Sequence, residues 1–221
     1  MAIMSARPPL PYNEPIRSYV PGSAERASLQ ARLAELAADQ VDMPLVIGGR
    51  EVRNGRTVPA VMPHRTGHTL GTVHWAGQAE LEQAIAAAGA AWPEWSRLPW
   101  TERAAVFLRA ADLLTGPWRD TLNAATMLGQ SKTAHQAEID SACELIDFWR
   151  YNAYFGDRLL RQQPFNDATA WNRIEYRPLE GFVFAVSPFN FTSIAGNLPT
   201  APMLMGNTVV FKPATQTLLV C

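Results

Sequence analysis

The stretch Phe182-Val-Phe-Ala-Val186 constrains the fold more than any other part of the chain. Five apolar residues without a polar face are too short for a typical helix. Bounded by turn residues, they suit a strand buried on both sides. A second apolar run, Val209 to Phe211, follows Gly206-Asn207 and stops at Lys212-Pro213. The segment between the two has helical spacing. Strand, helix and strand within roughly 30 residues make one βαβ unit. Ser187, Asn190 and Lys212 fall just past the carboxyl ends of these strands, the edge of an open parallel sheet where ligands bind.

Upstream, Pro8, Pro9, Pro11, Pro15 and Pro21 predict an extended arm. Ser23 reads as the cap of a helix over 24–38. Leu45 to Arg53 reads as strand, glycine turn and strand, and 57–76 as further short strands around Arg65-Thr-Gly67. Helices are expected from Ala79 to Ala91, from Thr101 to Gly116, from Trp118 to Leu128 and from Thr133 to Phe155. In the last of these, Ile139, Cys143, Ile146 and Trp149 form one stripe. Residues 159–172 look irregular and polar, and 173–176 read as a strand. Pro199 and Pro202 predict a kink or an early stop in the helix of the βαβ unit.

Formal net charge is −1, so bulk electrostatics gives no reason to expect a nucleic acid or an anionic membrane as partner. Two cysteines suggest no disulfide framework. The four histidines lack metal-ligand spacing on a common helix face, so no metal is expected. The chain has 17 Arg and only two Lys, which makes Lys212 a lysine where this chain seldom uses one. Without a visible signal peptide or a run near the ~20 apolar residues that span a bilayer, the default compartment is the cytoplasm.

Ser187-Pro-Phe-Asn-Phe191 followed by Gly206-Asn-Thr-Val-Val-Phe-Lys-Pro213 resembles the start of the cofactor domain of NAD(P)-dependent aldehyde dehydrogenases. The resemblance continues through Arg173-Ile-Glu-Tyr-Arg-Pro-Leu-Glu-Gly181, Gln136-Ala-Glu-Ile-Asp140 and Asn13-Glu-Pro-Ile-Arg-Ser-Tyr-Val-Pro-Gly22. These segments look like the L-glutamate γ-semialdehyde (1-pyrroline-5-carboxylate) dehydrogenase branch. The resemblance implies an α/β fold with an incomplete Rossmann-type sheet. Residues 1–40 form the arm and its helix. Residues 41–180 form the helical and strand portion of the cofactor domain with part of a bridging hairpin, and 181–221 the first βαβ unit. It also implies NAD as cofactor, a small aldehyde as substrate and a homo-oligomer at full length.

By the same resemblance, Asn190 is the amide donor to the oxyanion formed when a thiolate attacks an aldehyde. On the bare residue, a loop Asn capping the next helix is the alternative. Lys212 matches the lysine that hydrogen-bonds the adenosine ribose, against a solvated strand end. Ser187, Pro188 and Phe189 match the segment lining the cofactor cleft, against simple turn chemistry. Phe191 resembles an aromatic wall beside the substrate's aliphatic part, against core packing. Glu138 lies on the helix bordering the substrate tunnel, against a solvated helix face. A G-x-G-x-x-G fingerprint is absent, and this version of the fold does not rely on one.

The chain stops at Cys221, whereas the family's nucleophilic cysteine, general-base glutamate and glycine-rich turn come later. Cys143 is expected to be a buried structural thiol and Cys221 is terminal; neither is expected to be the nucleophile. The chain is therefore expected to be inactive alone. The rival readings are an aldehyde dehydrogenase for another substrate and a non-catalytic binding protein.

Overall fold

The computed structural model describes residues 7–221. Residues 7–20 form neither helix nor strand, as Pro8, Pro9, Pro11 and Pro15 favour, and Ser23 then caps α1 (Ala24–Ala38), its side chain accepting from the Arg26 amide. Strand β1 (Val41–Met43) follows. Next come β2 (Leu45–Ile47) and β3 (Arg50–Val52), an antiparallel hairpin turning at Gly48 and Gly49. Both glycines have positive φ, 57° and 74°, as a two-residue hairpin turn of this hand demands. Strands β4 (Thr57–Met62) and β5 (Arg65–His74) complete a three-stranded sheet of order β1-β5-β4, with β1 parallel to β5. The turn falls at Pro63-His64, and Arg65-Thr-Gly67 lies inside the strand.

Four helical elements form the layer that carries the βαβ unit. They are α2 (Gln78–Trp95), α3 (Trp100–Thr115), α4 (Arg119–Gln130) and a long segment that changes pitch. That segment opens as α5 (Ala134–Ala137), widens to a π turn over Glu138–Cys143, and continues as α6 (Glu144–Arg161). It runs six residues past Phe155, and no strand forms over 173–176, two departures from the sequence expectation. Core packing joins the layer. Ala104, Phe107, Ala153 and Leu204 form one buried cluster with Trp95, Trp100 and Trp149 against it. Ala111, Leu114, Leu145 and Ile146 form a second.

The expected βαβ unit is present: β6 (Phe182–Val186), α7 (Thr192–Leu204) and β7 (Thr208–Lys212), the strands paired in parallel. α7 runs through Pro199 and Pro202 instead of stopping. Neighbours supply partners for the carbonyls that the end of the helix leaves open. Trp95 Nε1 donates to the Met203 carbonyl at 2.9 Å, Arg103 Nε to Leu204 at 3.1 Å and Asn207 Nδ2 to Pro202 at 2.9 Å. Gly196 lets α7 approach α6 closely, because a Cβ there would lie 2.6 Å from Leu145 Cδ1. β6 differs from the expected doubly buried strand. Ala185 is buried, yet Phe184 and Val186 are 57% and 50% exposed. Among the described residues, only one face of the strand pair is covered.

Gly71 sits opposite Val41 in the β1–β5 ladder, and a Cβ on it would meet the Val41 carbonyl oxygen at 2.1 Å. Backbone cannot swing aside as a side chain does. Gly71→Ala is expected to destabilise the chain by about 1–3 kcal/mol. Urea unfolding checks this; an unchanged midpoint would mean that β1 is not held at this register.

Candidate functional site

Val186 pairs with Lys212, and the Ser187 amide donates to the Lys212 carbonyl at 3.3 Å. The chain therefore leaves β6 beside the end of β7, which puts Ser187 to Asn190 and Lys212 on one sheet edge. Ser187 is 6% exposed, and its buried hydroxyl has no partner among the described residues. A buried hydroxyl is normally paired, so an orphan at a ligand-binding edge suits a polar group that arrives with a ligand. Pro188 and Phe189 are exposed beside it, and so are Asn190 and Lys212.

The start of α7 fixes this bend. Phe191 occupies the capping position without a side-chain cap, so Asn190 is one residue outside it and is not the N-cap. Thr192 and Thr126 share a hydroxyl hydrogen bond of 2.9 Å, and Gln130 Nε2 donates to Thr192 Oγ1 at 2.8 Å. Ser193 Oγ donates to Glu144 Oε2 at 2.5 Å. Thr126 and Gln130 extend a polar stripe on α4 that begins with Arg119 and Asn123, at spacings of four, three and four. Phe191 is half-buried, and the Lys132 ammonium lies 4.3 Å from its ring centroid. The sequence reading singled out neither Glu144 nor Lys132. Glu144 lies six residues beyond Glu138, about one and two-thirds turns of a regular helix, and the π turn between them removes even that spacing as a guide.

Glu138 is placed differently from both readings of the sequence. It is fully buried and faces neither solvent nor a channel. Its carboxylate accepts from the Arg17 amide at 2.7 Å, Tyr19 Oη at 2.8 Å, Asn123 Nδ2 at 2.8 Å and the Arg119 guanidinium. Arg119 also bonds Glu14, whose other oxygen accepts from Arg150 Nη1 at 2.8 Å. Two carboxylates and two guanidiniums thus close a cluster in which each ion has an opposite partner, as burial requires. Its effect is to lash the arm to α4 and the π turn, and with all these donors satisfied by protein no oxygen is left for substrate. Burial works against the Glu138 charge, but the hydrogen bonds from Arg119, Arg17 and Tyr19 outweigh it and hold the carboxyl below its ordinary value. Burial and the adjacent Glu138 push the Tyr19 hydroxyl well up.

Cys143 lies under the same arm, with Arg119 Nη2 at 3.3 Å and Glu138 Oε1 at 3.6 Å from its sulfur. Burial, then the Glu138 charge, pushes its thiol up to about 12, so it stays protonated at neutral pH. Among the described residues, no group of three or more His, Cys, Asp or Glu is placed to hold a metal ion.

The chain matches the aldehyde dehydrogenase family over residues 51–221 and belongs to it. Relatives at 43–52% identity carry the name of one branch of that family. It is 52% identical over 204 residues to delta-1-pyrroline-5-carboxylate dehydrogenase of Agaricus bisporus, covering 91% of this chain and 37% of the relative. It is 48% identical over 207 residues to the mitochondrial enzyme of that name from Bos taurus, covering 94% and 37%. The crystal structure of the Mycobacterium tuberculosis Delta-pyrroline-5-carboxylate dehydrogenase bound with NAD superposes with a TM-score of 0.95 at 56% identity, over 97% of this chain and 40% of that one. The mixed α/β architecture is thus that of these enzymes, and the chain spans about 37–40% of their length.

A carboxyl held below its ordinary value of 4.5 stabilises the fold fully above that pH and less as pH falls through the lower folded value. Glu138→Gln keeps the shape but leaves Arg119 short of a counter-charge. It is expected to cost about 3–5 kcal/mol at pH 7, with a smaller loss below pH 4.5, where the wild type is itself weakened. Urea unfolding of both proteins from pH 3 to 7 checks this. Parallel curves at every pH would remove the charge from the explanation.

Proposed function

We propose that the chain is the amino-terminal portion of an NAD-dependent dehydrogenase that oxidises L-glutamate γ-semialdehyde to L-glutamate in proline breakdown. The observation that carries this reading is the exposed Asn190 amide on the β6–α7 bend, at the same sheet edge as Lys212. A thiolate adding to an aldehyde carbon turns the carbonyl oxygen into an oxyanion, which needs a neutral donor already in place. Asn190 is that donor: its NH₂ does not titrate, and the anchored α7 start fixes the backbone behind it. Once the adduct's carbon has given up its hydride to an acceptor, the adduct is a thioester, and water releases the acid from it with return of the thiol. In this reading the thiolate is neither of the two cysteines at hand: Cys143 is buried and protonated, and Cys221 lies on a different element from the Asn190 bend.

The residues at the edge fit a dinucleotide. Lys212 would reach ribose hydroxyls from the end of β7, and the orphan Ser187 hydroxyl would gain a partner beside it. Pro188 and Phe189 line the same cleft, and Phe191 walls the aliphatic part of the aldehyde. When bound, NAD supplies the acceptor for the hydride that leaves the aldehyde carbon. The relative from Mycobacterium tuberculosis with bound NAD supports this choice of cofactor. The whole protein is a homo-oligomer in this reading, supported by Phe165 and Trp171, 85% and 79% exposed on the irregular segment after α6. Among the described residues no helix is long and apolar enough to cross a membrane. The bovine relative is named as mitochondrial, so these relatives lend the cytoplasmic expectation no support.

In a protein of the relatives' full length, Asn190→Ala is expected to lower kcat by about 10²–10³ with NAD binding little changed. Lys212→Ala is expected mainly to raise the KM for NAD. Steady-state kinetics with glutamate semialdehyde checks both; exchanged phenotypes would overturn the assignment. The 221-residue chain by itself is expected to show no aldehyde oxidation with NAD. Turnover that survives Cys143→Ala together with Cys221→Ala would contradict it.

A further inference from the structure

Lys132 is one of only two lysines in the chain. Its backbone is fixed on both sides by local devices. Before it, Ser131 ends α4 in the left-handed region at φ 56°, with its hydroxyl 2.8 Å from His64 Nδ1. A residue with a side chain is held there only when its surroundings impose it. After it, Thr133 caps α5, its hydroxyl accepting from the Gln136 amide and its own amide donating to the Gln136 side chain at 3.0 Å. The side chain is equally confined. Its ammonium donates to Asp140 Oδ2 at 2.7 Å and stands 4.3 Å from the Phe191 centroid. The Lys132 and Asp140 side chains are 12% and 25% exposed. A cation over the face of an aromatic ring is attracted by the ring's quadrupole, more strongly when both are partly desolvated.

Asp140 in turn belongs to the π turn. Glu138, two residues earlier, points into the buried arm cluster, while Asp140 points out to Lys132. One irregular turn therefore serves both the arm and the bend, and such turns recur at functional sites.

We propose that Lys132, held by Asp140, is a positioning residue that sets the Phe191 ring and so the placement of the aldehyde beside Asn190. The proposal rests on the reading of Phe191 as the substrate's aromatic wall. Rotation about the last torsion of a phenylalanine is soft, and Phe191 sits at an extended capping position, φ −135°, rather than inside a helix. With the ammonium on one face, the ring keeps one orientation and offers its other face to the aliphatic part of the substrate. Without it the ring samples several orientations, and binding loses the pre-set wall. The chemical step, which depends on Asn190 and the thiolate, does not change.

Two measurements test this. In the 221-residue chain labelled with ¹³C-lysine, two sets of side-chain signals are expected. The terminal methylene of one should be shifted upfield by a ring, and the shift should vanish in Phe191→Leu. In a protein of the relatives' full length, Lys132→Met is expected to raise the KM for the aldehyde about tenfold with kcat within about twofold. Lys132→Arg, which can both stack and pair with Asp140, is expected to restore most of it. Asp140→Asn should move KM the same way by less. Two lysines with unperturbed methylene shifts, or an unchanged KM in an active Lys132→Met protein, overturns the proposal and leaves the reading of the site intact. A folded wild type that binds NAD but does not oxidise the aldehyde removes that reading, and the proposal with it.

Discussion

The closed ion cluster around Glu138 is the interaction on which the arrangement depends. Glu14 comes from the arm, Arg119 from α4, Glu138 from the π turn and Arg150 from α6, and all four are buried. An arm of extended chain buries little apolar surface and has no ladder to join. Its backbone donors must be taken up elsewhere: the Glu14 amide goes to Asp147 at 2.7 Å and the Arg17 amide to Glu138 at 2.7 Å. Paired burial of this kind adds little net stability compared with apolar packing, but it tolerates no missing member. It therefore fixes where the arm lies more than how tightly the chain folds.

From that cluster the order passes along α4. Arg119 and Asn123 face the arm, while Thr126 and Gln130 face α7. The one helix face thus anchors the arm at one end and the bend that carries Asn190 at the other. The role proposed for Asn190 requires its amide to be held to within a fraction of an ångström, and placing its anchors on helices rather than loops serves that. The same economy explains α7, whose two prolines would weaken a solitary helix. Its last carbonyls are served by Trp95 and Arg103 from the neighbouring helices, so packing overrides propensity.

What was legible in the sequence was local. The Ser23 cap, the Gly48-Gly49 turn and the short apolar runs of β6 and β7 each announce themselves within a few residues, and the structure has all of them. The sheet edge that brings Asn190 and Lys212 together follows from the βαβ pattern alone. What was hidden depends on partners more than 100 residues away in the chain. Glu138 looked like a helix-face carboxylate because nothing near it reveals that Glu14, Arg17 and Tyr19 fold over it. The π turn over Glu138–Cys143 carries no local sequence mark either, and the Glu144–Ser193 bond spans 49 residues. The open face of β6 could not be read either, since an apolar run shows a preference for burial and not whether the chain supplies the cover.

The most direct test of the account is a crystal structure of the full-length protein with NAD and an aldehyde-derived adduct on its catalytic thiol. Asn190 Nδ2 is predicted to lie about 3 Å from the adduct oxygen, with the Lys212 ammonium on the adenosine ribose. An adduct oxygen held by other donors, with Asn190 turned to solvent and Lys212 away from the ribose, would contradict it.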